Sequence, residues 1–275
     1  MTSARKYFTY IPVHGAPEAA AVVFAAVAIL IAVKTHKTSS PKWVHILTGT
    51  AIAECIGYAL RAVCIDHASL GIYIGMTLFL LLPPNAFALF EYKTVGEVVR
   101  RSHATPRHFW LRPRFITWFF FSSDVFSFLL QSAGGSMMAS ESTTKTGKWV
   151  ALIGLAIQLF FLTCFLFIAV HVTRDIAYTV AMGPRDKSPE GAKKKLMYTV
   201  IAATALIYIR SVYRLIEFAD GYGGKIYSCE WAFYVFDCAM ILLAFVANIV
   251  FFVGHHFNGV ATSDTIEMLS TKANC

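Results

Sequence analysis

The chain has 275 residues, of which 57% are hydrophobic and 15% charged, and its formal net charge is +8. This is too apolar for a soluble domain of that length. Its long continuous apolar runs also lack the alternation over ~10 residues that marks the strands of a membrane β-barrel.

A backbone in lipid has to satisfy its own hydrogen bonds, which leaves helices. A helix crossing the hydrocarbon core needs ~20 mostly apolar residues. Seven stretches meet this: Ala16–Val33, Trp43–Ile65, Ile72–Tyr92, Phe115–Met138, Trp149–Val172, Leu196–Phe218 and Trp231–Val253. They predict an all-α membrane protein, a seven-transmembrane helix bundle. The first fifteen residues lack the apolar core of a cleavable signal, so the first helix is expected to stay in the mature protein.

Taken in chain order, the predicted helices are apolar apart from a set of polar residues at helical spacing. Helix 2 carries Glu54, Tyr58 and Arg61 at i, i+4, i+7, which is one face. Helix 3 holds Pro83-Pro84-Asn85 near its middle. A proline pair breaks the helix ladder and frees carbonyls that neighbours or water must satisfy. The basic, proline-punctuated loop that follows reads as a connector with some helical extension of helix 3. Helix 4 carries Asp124, Ser127 and Gln131 on one face, then Gly134-Gly135, a pair suited to close packing. Helix 5 adds Gln158 near mid-depth. Helix 6 carries Arg210, Arg214 and Glu217, and helix 7 answers with Glu230, Tyr234 and Asp237, both triplets again at i, i+4, i+7.

Charge distribution sets the expected topology. Fifteen Lys and Arg fall on the side of the loops after helices 1, 3 and 5, against five on the other side. By the positive-inside bias, the N-terminus is outside and the C-terminus cytoplasmic. The basic surplus is thus read as a topology signal beside anionic lipid headgroups, and no nucleic-acid partner is expected. The domain reading is an extracellular segment 1–15, a transmembrane domain 16–256 and a cytoplasmic tail 257–275.

On that topology helices 6 and 7 are antiparallel neighbours, joined by a short loop. Their acids and bases meet at matching depth in the outer half. Arg214 is expected to pair with Asp237 or Glu230, and Arg210 to reach Asp237. Each charged side chain in lipid costs roughly 2.5–3.5 kcal/mol on insertion scales, so such residues face partners or a cavity. The reading is one polar slab, from midplane to outer surface, lining a cavity. The alternative is a buried network that only fixes helix packing.

Six cysteines show no metal-like spacing. Cys64 and Cys229 both fall at predicted outer helix ends, where an oxidising exterior permits a disulfide. There is no phosphate-binding G-x-x-x-x-G-K-[ST], no H-E-x-x-H and no G-x-S-x-G, so neither ATP-driven work nor an enzyme's nucleophile or metal set is expected.

The polar blocks also carry a resemblance. They are ECIGYALR at 54–61, LLPPNAFALFEY at 81–92, DVFSFLLQSAGG at 124–135, GLAIQL at 154–159, RSVYRLIEF at 210–218, GYGG at 221–224 and EWAFYVFD at 230–237. In this order they resemble the RTA-like proteins, the fungal lipid-translocating exporter family. Glu91 departs from that pattern and is given no role. The resemblance implies a fungal multi-pass protein of the plasma membrane that moves, or confers resistance to, amphipathic molecules: sphingoid bases, sterol-like toxins or porphyrins. It implies no cofactor, with haem or porphyrin entering only as a ligand.

Two functions follow as expectations. The first is a transporter in which Glu54, Asp124 and Asp237 contact a cationic headgroup, while Arg61, Arg210 and Arg214 balance charge or gate. Without an ATP site, movement would follow a gradient or couple to protons. The second is a receptor or sensor for a lipid-like ligand. Membrane lipids and an amphipathic small molecule are the expected partners, and the sequence leaves the oligomeric state open.

Overall fold

A computed structural model describes residues 13–38, 40–67, 69–102, 111–138, 142–178, 189–221 and 229–251. The expected tail and most of the expected outer segment lie outside the described residues. The described residues form seven long helices and two short 3-10 turns, with no strand. In chain order they are α1 (Ala16–Lys37), α2 (His45–Asp66), α3 (Leu70–Arg101), α4 (Pro113–Met138), α5 (Thr144–Arg174), α6 (Pro189–Asp220) and α7 (Glu230–Val250). Six are long and apolar enough to cross a membrane. The exception is α4, whose serines, Asp124 and Gln131 dilute an otherwise aromatic run.

Consecutive helices pack as neighbours, α1 also meets α7, and α3 lies at the centre, touching α2, α4, α5 and α6. Phe24, Tyr58, Phe87 and Phe245 join α1, α2, α3 and α7. Phe24 stacks on Tyr58 with centroids 5.5 Å apart, and Phe87 meets Phe245 edge-on at 5.0 Å. The outer surface carries exposed Trp118, Trp149, Phe160, Phe167 and Trp231. A surface this apolar suits lipid rather than water.

Lipid tails are as apolar as leucine, so helix association rests on close packing and polar contacts. The α4–α5 seam shows the first. A Cβ placed on Gly134 would lie 2.5 Å from the Ala151 nitrogen and 2.6 Å from the Gly147 oxygen. One on Gly147 would lie 2.6 Å from the Gly134 oxygen. Gly135, by contrast, faces open space.

The expected extension of helix 3 is present and runs to Arg101. It is tied by Glu97, which accepts hydrogen bonds from Arg100 at 2.6 and 2.8 Å and from Arg101 at 2.7 Å. Burial pushes the Glu97 carboxyl up, but the two guanidiniums outweigh it and hold it below the usual range.

Candidate functional site: a buried charge network

The proline pair does not interrupt α3, which continues through Pro83 and Pro84. Its consequence is chemical. Pro84 has no N–H to offer the Leu80 carbonyl one turn back, and the Arg210 guanidinium of α6 fills the gap, donating to that oxygen at 2.8 Å. Gly57 lets α2 pack close on this turn of α3, because a Cβ there would lie 2.8 Å from Leu80 Cδ2 and 3.2 Å from the Phe79 backbone carbon.

Around this break the charges assemble. Asp237 is 2% exposed, and its Oδ1 receives Arg210 Nη2 at 2.9 Å and Arg214 Nε at 2.7 Å. Arg214 also holds Glu217 at 3.1 Å. Asp237 lies in a wider π-helical turn of α7, Tyr234–Ala239. Such turns are rare and cluster at functional positions. Phe233 receives two cations over its ring, with the Arg61 guanidinium 4.1 Å and that of Arg214 5.2 Å from its centre. Tyr234 flanks Arg61 at 5.6 Å.

The structure chooses between the two partners expected for Arg214. Arg214 takes Asp237 and Glu217 rather than Glu230. Glu230, at the outer start of α7, instead faces Arg61 at 3.8 Å and accepts from the Val13 amide at 3.0 Å. The reason is rotational: Glu230 precedes the π turn, which adds width and turns the two ends of its stripe toward different helices.

A second group lies on the other side of α3. Gln131 of α4 donates to Gln158 of α5 at 2.7 Å, Gln158 donates to Asn85 at 2.8 Å, and Asn85 donates to the Leu81 carbonyl at 3.1 Å. Asp124 stands apart, accepting from the Tyr92 hydroxyl at 2.7 Å. Ser127 is fully buried, its backbone oxygen against Gly154. The expected single slab is therefore two clusters that meet on α3 at adjacent carbonyls, Leu80 and Leu81. Replacing Gln158 with Leu leaves both Gln131 and Asn85 without their partner. Interhelical polar contacts average ~0.6 kcal/mol, so a loss of about 1 kcal/mol is expected, read as a lower unfolding midpoint in detergent.

Sequence reasoning missed Tyr92, the donor to Asp124, because tyrosine at a predicted helix end reads as an interface anchor. It also passed over Glu91, which is fully buried and accepts from Asn248 of α7 at 3.1 Å. The signal was a lone asparagine in the apolar second half of helix 7. Cys64 and Cys229 are both free thiols. Cys64 is turned into the apolar core of the bundle, so the permitted disulfide is not formed.

A small cleft between α3 and α4 is lined by Tyr73, Thr77, Ser132 and Ser136, with room for about one water. No group of three or more His, Cys, Asp or Glu positioned for a metal occurs among the described residues.

Fold and network together define a polytopic helical membrane protein with ion pairs buried among its apolar helices. A family model described as RTA1 like protein matches residues 47–260. The chain belongs to the RTA1-like family, as the sequence blocks implied. It is 33% identical over 227 residues to protoporphyrin uptake protein 1 of Saccharomyces cerevisiae, covering 81% of this chain and 71% of that protein. Protein RTA1 of Saccharomyces cerevisiae is 34% identical over 204 residues, covering 72% of this chain and 62% of the relative. The more distant sphingoid long-chain base transporter RSB1 of the same organism is 25% identical over 184 residues, 55% of this chain and 48% of that protein. No solved structure matches the chain.

Proposed function

We propose that this chain is a seven-transmembrane transporter of an amphipathic small molecule, with its N-terminus outside, its C-terminus cytoplasmic, and its place in the plasma membrane. The transmembrane domain spans 16–256, between an outer segment 1–15 and a cytoplasmic tail 257–275. The observation that carries the reading is the charge network itself: Arg61, Arg210, Arg214, Glu217, Glu230 and Asp237 paired inside an apolar bundle. Ionisable groups at that depth mark substrate or ion pathways by default. The printed names of the relatives, an uptake protein for a porphyrin and a transporter of sphingoid bases, favour an amphipathic substrate.

In this reading the apolar part of the substrate stays in lipid while its polar head passes the slab. Asp124 supplies an acceptor for that head, since its Oδ1 is buried and takes no hydrogen bond.

The test is reconstitution. Purified protein in liposomes is expected to move fluorescent sphingosine or protoporphyrin IX several-fold faster than protein-free vesicles. Movement of neither probe, while a control transporter moves its own substrate, overturns the reading. Saturable binding without movement would support the receptor function instead.

A further inference from the structure

Glu54 is the one acid of the network without a partner. It is 1% exposed, and neither carboxyl oxygen accepts a hydrogen bond. The three guanidiniums are each matched to a carboxylate: Arg61 to Glu230, Arg210 to Asp237, and Arg214 to Asp237 and Glu217. Glu54 is the fourth acid against three bases. Ionised in this state, it would be a buried charge with neither an ion pair nor a donor. Protonated, it is neutral and tolerable.

The complement is one residue removed: Arg210 donates to the Leu80 carbonyl, and Leu80 abuts Gly57, three residues along α2 from Glu54. Arg210 is 3% exposed and spends its Nη2 on Leu80 and Asp237, while its Nε finds no acceptor. A buried donor without an acceptor thus belongs to the same side-chain cluster as a buried carboxyl without a donor. The charges acting on Glu54 are Arg210 and Arg214 from α6 and Asp237 from α7. Cys238 of α7 and Tyr58 of its own helix also lie in this cluster. The α1 and α3 faces packed on this part of α2 present Phe24 and Leu80, which do not ionise.

We propose that Glu54 is the proton-carrying group of this transporter, loaded while Arg210 holds Asp237 and unloaded when Arg210 turns to Glu54. The proposal rests on the transport reading and goes beyond it by naming the coupling ion and its site. In the described state the Glu54 carboxyl keeps its proton. When the O–H bond breaks, the proton leaves to water and the carboxylate left behind accepts Arg210 Nε–H. The reverse step takes a proton from water and returns Arg210 to Asp237. The moving part is the π turn Tyr234–Ala239 that carries Asp237: rewinding it to α-helical register rotates that carboxylate away from Arg210. The way out follows the stripe of α2, from Glu54 past Tyr58 to the Arg61–Glu230 pair, where the Glu230 side chain is 13% exposed.

Two measurements on the full-length protein in liposomes test this. A hydrophobic carbodiimide, which reacts with protonated carboxyls in apolar surroundings, is expected to modify Glu54, with labelling falling as pH rises. Absence of label on Glu54 at every pH, while a known carbodiimide-reactive membrane protein is labelled in parallel, overturns the proposal. In the second arm an imposed pH gradient is expected to drive accumulation of the moved probe beyond that in protein-free vesicles. The limit is about tenfold per pH unit for one proton per substrate. Glu54→Gln is expected to abolish that gradient response, and Glu54→Asp to retain it with a shifted pH profile. A Glu54→Gln protein that still responds to the gradient like the parent overturns the proposal. If the parent moves neither probe, the transport reading falls, and the labelling arm still decides whether Glu54 carries an exchangeable proton.

Discussion

Asp237→Ala is expected to be the most damaging side-chain truncation in the charge network. Asp237 is the acceptor shared by Arg210 and Arg214, so its loss leaves Arg210 with no carboxylate and Arg214 with Glu217 alone. Removing one partner of a buried ion pair costs about 3–5 kcal/mol, because the other charge stays buried and uncompensated. Unfolding of the detergent-purified variant should begin roughly 10 °C lower, and probe movement should be lost. Arg214→Ala is expected to cost less, since Asp237 then keeps Arg210. Exchanging the two residues, Arg214→Asp with Asp237→Arg, tests the pair directly. The exchange places an arginine opposite Arg210, so it is expected to recover only part of the loss, and adding Arg210→Ala should recover more. Equal stability of the exchange with and without Arg210→Ala would show that Arg210 does not share Asp237.

A comparably large effect is expected from Gly134→Leu or Gly147→Leu, with Gly135→Leu nearly neutral. At the first two positions the added Cβ would meet the backbone of the facing helix at 2.5–2.6 Å, and backbone cannot step aside as a flexible side chain can. Forcing α4 from α5 costs more than the 1–3 kcal/mol typical of overpacking in a core. It also pulls Gln131 from Gln158, one link of the amide chain. Folded yield in membranes and the unfolding midpoint read both effects. Gly135 has open space at its Cβ position, so it controls for the substitution itself. A Gly135 variant as damaging as the Gly134 variant would place the close contact on the wrong face.

How much of this was legible before folding varies with the kind of signal. Helix positions were readable because the need for ~20 apolar residues is a property of each segment alone. The predicted end of helix 4 at Met138 is the observed one. Helix 3 overran its apolar stretch because the tie from Glu97 to Arg100 and Arg101 holds a turn that hydropathy counts against. The site residues were likewise visible as charges at i, i+4, i+7 in apolar runs. The Arg210–Asp237 and Arg214–Asp237 pairs followed from depth and the antiparallel arrangement of helices 6 and 7.

By itself, then, the sequence determined that the chain forms apolar helices, which family it resembles and which residues carry charge into them. Each of those depends on local composition, spacing or motif. The tertiary structure decided how the charges are shared. It gave Asp237 two arginines, sent Glu230 to Arg61, left Glu54 unpartnered and buried Cys64 apart from any disulfide. It also recruited a backbone atom that no residue type announces, the Leu80 carbonyl freed by Pro84 and taken by Arg210. The physical reason is that partner choice depends on helix rotation. One π turn in α7 changes that rotation midway along a stripe whose sequence spacing looks uniform.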